Sequence, residues 1–174
     1  MRRNVSIIKD ALGKSIVFIH DIRFQGRQSI DWKAVERYLK QYIGEAVKIA
    51  EYSDIVYIGN DFPDEYSNSE DTVRRKGALA KAKANAVQGV PELVEIAVNK
   101  RFKENLNKKH KKNAKYGWYR YDSRFALPVY SINGEIERYN IFCAEVLIRH
   151  DNNGKLCLYD IVNIRKETST PLEQ

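Results

Sequence analysis

Arg120, Asp122 and Arg124 recur at every second position, and Glu145, Arg149 and Asp160 follow in runs that keep the same period. Alternate side chains of a β-strand share one face of its sheet, so register decides whether these groups meet. Asn133-Gly134 is a strong two-residue hairpin signal. A tight turn there sets Ile132 opposite Glu135, Asp122 opposite Glu145 and Arg124 opposite Cys143. A second reversal around Asn152-Asn153 sets Glu145 opposite Asp160. One face then carries Trp118, Arg120, Asp122, Arg124, Glu145, Arg149 and Asp160. The other is apolar, with Phe125, Leu127, Phe142, Ala144, Val146, Ile148, Tyr159 and Ile161.

Carboxylates directly abreast destabilise a sheet unless cations lie among them. Cutting RNA without a metal needs a base for the 2′-hydroxyl proton. It also needs cations that hold the phosphate while charge builds on its oxygens. Glu145 is the candidate base. Arg120, Arg124 and Arg149 form the candidate clamp, because guanidinium forks match phosphate in two-pronged geometry. His150 alternates to the opposite face and joins them only if the strand twists or bulges there. The same cluster also reads as the salt-bridged, solvent-facing side of a half-buried sheet. As oxygen ligands for a cation, Asp122, Glu145 and Asp160 require both registers to hold.

The charge is concentrated. The chain of 174 residues has a net charge of +7, and residues 100–124 alone hold ten Lys or Arg against two acids. Lys108, Lys109, Lys111, Lys112 and Lys115 interleave there with Tyr116, Trp118, Tyr119 and Tyr121. Clustered cations attract a polyanion by counterion release, and aromatic planes accept unpaired bases. RNA or another nucleic acid is the expected partner, and a solvated linker between helix and sheet is the plainer reading. An acidic inhibitor protein is a further candidate partner, in keeping with a toxin.

These residues need a scaffold, and the sequence predicts one of α+β class. A small N-terminal α/β segment is expected over 1–60, with short strands at Val5–Lys9, Ser15–Arg23, Ala46–Glu51 and Ile55–Ile58. Between them lies a helix capped by Asp31, with Val35, Tyr38, Leu39 and Tyr42 on its stripe. Residues 59–70 read as a loop. The second unit, 71–168, opens with a helix from Asp71 to Gln88. Another begins at Pro91, with Val94, Val98, Phe102 and Leu106 on one face. Three β-rich runs follow, Tyr116–Ser131, Glu135–His150 and Lys155–Arg165. Helices packed on one face of an antiparallel β-meander result, and the two units are expected to form one compact body.

Other features exclude more than they assign. Cys143 and Cys157 lack zinc or disulfide spacing and read as core filler, and with His20, His110 and His150 they make no metal site. No metal or cofactor is expected. No Walker loop, dinucleotide fingerprint or nucleophile elbow is present. Lys76, Lys81 and Lys83 read as the wet face of an Ala-rich helix, or as a track for a phosphate backbone. No apolar run nears the roughly 20 residues needed to cross a bilayer. The start, Met1-Arg2-Arg3-Asn4, leads into no secretory stretch, so a cytoplasmic protein without membrane partners is expected.

Four segments carry a resemblance. Tyr57-Ile-Gly-Asn-Asp-Phe-Pro-Asp-Glu-Tyr66, Lys81-Ala-Lys-Ala-Asn-Ala86, Lys115-Tyr-Gly-Trp-Tyr-Arg-Tyr-Asp-Ser-Arg-Phe-Ala-Leu-Pro-Val-Tyr130 and Tyr159-Asp-Ile-Val-Asn-Ile-Arg-Lys-Glu-Thr168 are the segments in question. They resemble a family of small proteins that travel on phages and conjugative elements of Gram-positive gut bacteria. The helix-helix-meander order of 71–168 is similar in layout to nucleases of the barnase/EndoU/colicin/RelE type. That resemblance implies metal-independent RNA cleavage on the open sheet face. No histidine on that face matches the general acid of the barnase branch. Tyr119 and Tyr121, the side-chain type on which RelE-like members rely, fall on the core side. The expected function is thus an RNase-like domain of a mobile element. The alternative is an accessory module that binds nucleic acid or protein without catalysis.

Overall fold

The computed structural model describes residues 3–26, 29–103 and 117–168. Eight strands form a curled mixed sheet with helices on one face, an α+β fold. In chain order they are β1 (Val5–Lys9), β2 (Ser15–Ile19), β3 (Ala46–Lys48), β4 (Ile55–Tyr57), β5 (Val98–Lys103), β6 (Trp118–Tyr130), β7 (Ile136–His150) and β8 (Leu156–Thr168). The expected antiparallel meander is β6-β7-β8. Strands from the first 60 residues extend it at both edges. β2 runs parallel to β6 and is itself paired with β1, while β4 runs parallel to β8 and is paired with β3.

β5 adds a further strand to the edge of β6 that β2 already uses. It pairs from Trp118 to Asp122, whereas β2 pairs at Phe125 and Ala126. Between those stretches, Ser123 and Arg124 have no partner strand on that side. The edge of β6 is breached there.

The helices are α1 (Trp32–Leu39), α2 (Phe62–Asn68), α3 (Glu70–Arg74), α4 (Gly77–Ala86) and α5 (Val90–Glu95). Asp31 caps α1 by accepting the Ala34 N–H, and Val35 and Leu39 are buried beneath it. The 59–70 stretch is not a loop. Pro63 sits in the first turn of α2, where its missing N–H costs nothing, and Phe62 and Tyr66 are buried. The turn-forming residues there are the start signal of a helix.

The helix expected from Asp71 to Gln88 is interrupted. The chain is extended at Arg75 and Lys76, and Gly77 takes φ +60°, a left-handed backbone that glycine adopts without penalty. The helix expected from Pro91 stops at Glu95. Val98 and Phe102 lie instead on β5, where their β-forming side chains meet a partner strand, and Leu106 lies outside the described residues.

α4 runs through the interior. Its alanines are small enough for close approach to the sheet, so the helix buries more than one side, with Ala80, Ala82, Ala84 and Ala86 inside. Lys83 is inside as well, at 0% exposure, neither a wet-face lysine nor a phosphate track. Its Nζ lies 2.9 Å from Asp71 and 3.0 Å from Asp160, and sits over the Tyr66 ring, 4.9 Å from the centroid. Arg75 binds Asp71 at 2.9 Å. Burial drives the Asp160 carboxyl up to about 6, against the pull of Lys83. For Asp71 burial acts the same way, but Arg75 and Lys83 outweigh it and hold the group below its usual range.

The pH consequence follows from the sign of the Asp160 shift. The folded state retains a proton on Asp160 where the unfolded chain has lost it, so this residue's contribution is largest at acid pH and fades as pH rises through about 6. Urea unfolding of Asp160→Asn is expected to lose that component. The variant should gain stability relative to the parent between pH 5 and 7.5, and an unchanged difference across that window would refute the assignment.

Candidate functional site on the outer sheet face

The face of β6 and β7 turned away from the helices is polar because its residues fall at alternate positions. Tyr121, Ser123, Phe125 and Leu127 point into the core, and Arg120, Asp122 and Arg124 point out. Asp122 lies opposite Glu145 and Arg124 opposite Cys143, as the hairpin signal predicts. The reversal itself is wider than two residues. Ser131 and Glu135 close it by a backbone hydrogen bond, and a bulge beside Arg138 restores the register.

The second register is corrected. Bulges in the β7–β8 ladder displace β8, so Glu145 lies opposite Val162, and Asp160 lies opposite Leu147 with its carboxylate on Lys83. The three-carboxylate face does not exist, and with it goes the cation site of Asp122, Glu145 and Asp160. Among the described residues no three acidic, His or Cys side chains group as a metal site. The same shift sets Cys143 opposite Arg165 and Cys157 opposite Arg149. Both thiols are free and half-buried, not core filler, and burial pushes both upward.

Glu145 is the centre of what remains. Its Oε1 accepts from Arg120 at 2.7 Å and from Asn163 at 2.9 Å, and Arg101 lies 3.7 Å from Oε2. Partial burial pushes the carboxyl up, but Asn163, Arg120 and Arg101 outweigh that and hold it below its ordinary range. Arg101 also binds Asp122 at 2.9 Å, to which Asn99 donates. Arg101, Asn99 and Asn163 are therefore part of the cluster. Sequence periodicity does not announce these three, because Val98 and Phe102 keep a helical stripe through β5 and the β8 bulge turns Asn163 (φ 53°) toward Glu145.

The expected clamp is dispersed. Arg124 bridges Asp10 at 2.8 Å and Glu167 at 3.0 Å. Arg149 pairs with Asp61 at 2.5 Å near the far end of the strand, where Trp118 packs edge-on against Tyr159. His150 stays on the helix side beside the Tyr119 ring, and its backbone N–H donates to Gly117. Neither Arg149 nor His150 belongs with Glu145. Lys108, Lys109, Lys111, Lys112 and Lys115 lie outside the described residues.

A cleft of about 770 Å³ opens beside the cluster and runs into the breach in the β6 edge, with Glu145, Asp122 and Arg124 on its wall. Among the described residues no helix is long and apolar enough to cross a membrane. No known family model, curated protein or solved structure matches the chain.

Proposed function

We propose that the outer face is the active surface of an RNase-like domain that cleaves RNA without a metal. Glu145 carries the reading: an ionised, partly exposed carboxylate held between guanidinium groups on the wall of a cleft of about 770 Å³. In the free protein those cations make it a weak base. A phosphodiester that takes up Arg120 and Arg101 removes the charges that depress Glu145, so substrate binding itself raises its basicity. Glu145 then accepts the 2′-hydroxyl proton while the 2′-oxygen attacks phosphorus. The 5′-oxygen leaves and takes a proton from solvent on the open face. Cyclic phosphate and 5′-hydroxyl ends result, and Glu145 returns its proton to water. The roles once expected of Arg149 and His150 are not part of this proposal.

The test is a short single-stranded RNA incubated with the protein and a chelator. Wild type should cut it and Glu145→Gln should not. Intact RNA in both reactions sinks the catalytic reading.

A second reading, binding without cleavage, is favoured by β5. That strand is exposed on both faces, and Phe102 is half-exposed and stacked on Tyr119 at 5.2 Å between Arg101 and Lys103. The lysine-rich residues follow it directly in sequence. Phe102→Ala with Lys103→Gln should weaken salt-sensitive RNA binding roughly tenfold, about one base's stacking plus one phosphate contact. Anisotropy titrations at two salt concentrations measure it, and unchanged affinity would remove β5 from the interface.

A further inference from the structure

We infer that the breach in the β6 edge is a subsite for a nucleoside phosphate, and that one nucleotide of the bound strand enters it. The inference rests on the nucleic-acid reading and specifies where that strand is gripped. Its first support is topological. Because β5 and β2 pair with successive stretches of one edge, Ser123 and Arg124 face a gap, and the cleft runs through it from the outer face toward the helix side. The second is size: about 770 Å³ falls within the roughly 300–1,000 Å³ typical of small-ligand sites.

The third support is chemistry. Lys9, Lys14 and Arg165 line the cleft, and among the described residues none of the three forms an ion pair, whereas Arg124 is already held by two carboxylates. Glu51 and Glu95 lie on the same wall, so a phosphate must be held by these three cations against two carboxylates, with Lys14 and Arg165 beside the breach. Ile7 and Ile96 supply apolar wall for a base, and Asn99, whose amide N–H donates to Asp122, can offer its amide oxygen to the base's polar edge. The fourth is rigidity. Asp10 accepts the N–H groups of Leu12 and Lys14 and is anchored by Arg124, so the β1–β2 turn that carries Lys14 is fixed to the sheet. A turn that is already ordered loses less freedom on binding than a floating one.

The experiment titrates ¹⁵N-labelled protein with each of the four nucleoside 5′-monophosphates, inorganic phosphate, a hexamer RNA and polyglutamate. Saturable shifts confined to residues 7–15, 96–99, 122–124 and 163–165 are expected with at least one monophosphate. Lys14→Gln with Arg165→Gln should weaken that binding at least tenfold, while Lys155→Gln, remote from the cleft, should leave it unchanged. The hexamer should bind more tightly than the monophosphate and compete for the same resonances, which marks the site as part of a strand-binding surface. A monophosphate that binds and is not displaced by the hexamer would instead make the occupant a free nucleotide and overturn the strand assignment. Equal binding of polyglutamate would overturn the nucleotide assignment in favour of an acidic protein. No shift with any monophosphate while the hexamer still binds would overturn this inference alone. Failure of the hexamer to bind at all would overturn the reading beneath it.

Discussion

Lys83→Ala is expected to destabilise the protein by about 3–5 kcal/mol, the usual cost of removing one partner from a buried ion pair. Stabilities of whole domains lie at roughly 5–15 kcal/mol, so this one change can remove a third or more of the total. The reason is the geometry around Nζ. Asp71 and Asp160 converge on one ammonium inside the protein, and only Asp71 has a second cation, Arg75. Without Lys83 two carboxylates remain in a site that water does not reach, and one must take up a proton. Urea unfolding at pH 7 measures the loss. Lys83→Met, which keeps most of the side-chain volume and loses the ammonium over Tyr66, should recover little, because the missing component is charge. If instead Lys83→Met matches wild type, the network contributes packing alone.

The second large effect concerns chemistry. Glu145→Gln is expected to lower RNA cleavage by about 10²–10⁴, the usual contribution of a positioned base. Arg120→Ala should also lower it, by a different route that the pH profile reveals. Arg120 helps hold Glu145 below its ordinary range in the free protein, so removing it lifts the acid limb of the kcat/KM profile toward higher pH. Cleavage by Arg120→Ala should therefore fall off earlier on acidification than cleavage by wild type. A profile merely scaled down, with the limb unmoved, would show that Arg120 does not tune the base. Arg149→Ala should change rate little, since its guanidinium is spent on Asp61.

The extent to which the sequence announces this arrangement varies by element. The β6–β7 ladder is legible because Arg120, Asp122 and Arg124 alternate with Tyr121, Ser123 and Phe125 and Gly134 marks the reversal, which puts Glu145, Asp122 and Arg120 on one face. Bulges have no such signature. Successive register shifts in the β7–β8 ladder leave Asp160 inward and Asn163 outward, which puts one expected site residue in the core and hides another. Val98–Lys103 satisfies a helical stripe as well as a strand, and only the neighbouring edge of β6 decides between them. Lys83 illustrates the limit most sharply. A lysine on an alanine helix reads as solvated because nothing nearby in sequence reveals the two aspartates that fold brings to it from 12 residues before and from β8.

In the proposed reaction Glu145 takes the proton of the RNA 2′-hydroxyl while Arg120 and Arg101 hold the phosphate. The direct measurement compares a single-stranded RNA with the same sequence carrying 2′-deoxyribose throughout, both incubated with wild type and Glu145→Gln in chelator, with product ends identified by mass spectrometry. Cyclic phosphate ends are expected from RNA with wild type only, together with an untouched deoxy strand. Cleavage of the deoxy strand, or RNA cut equally well by Glu145→Gln, would contradict it.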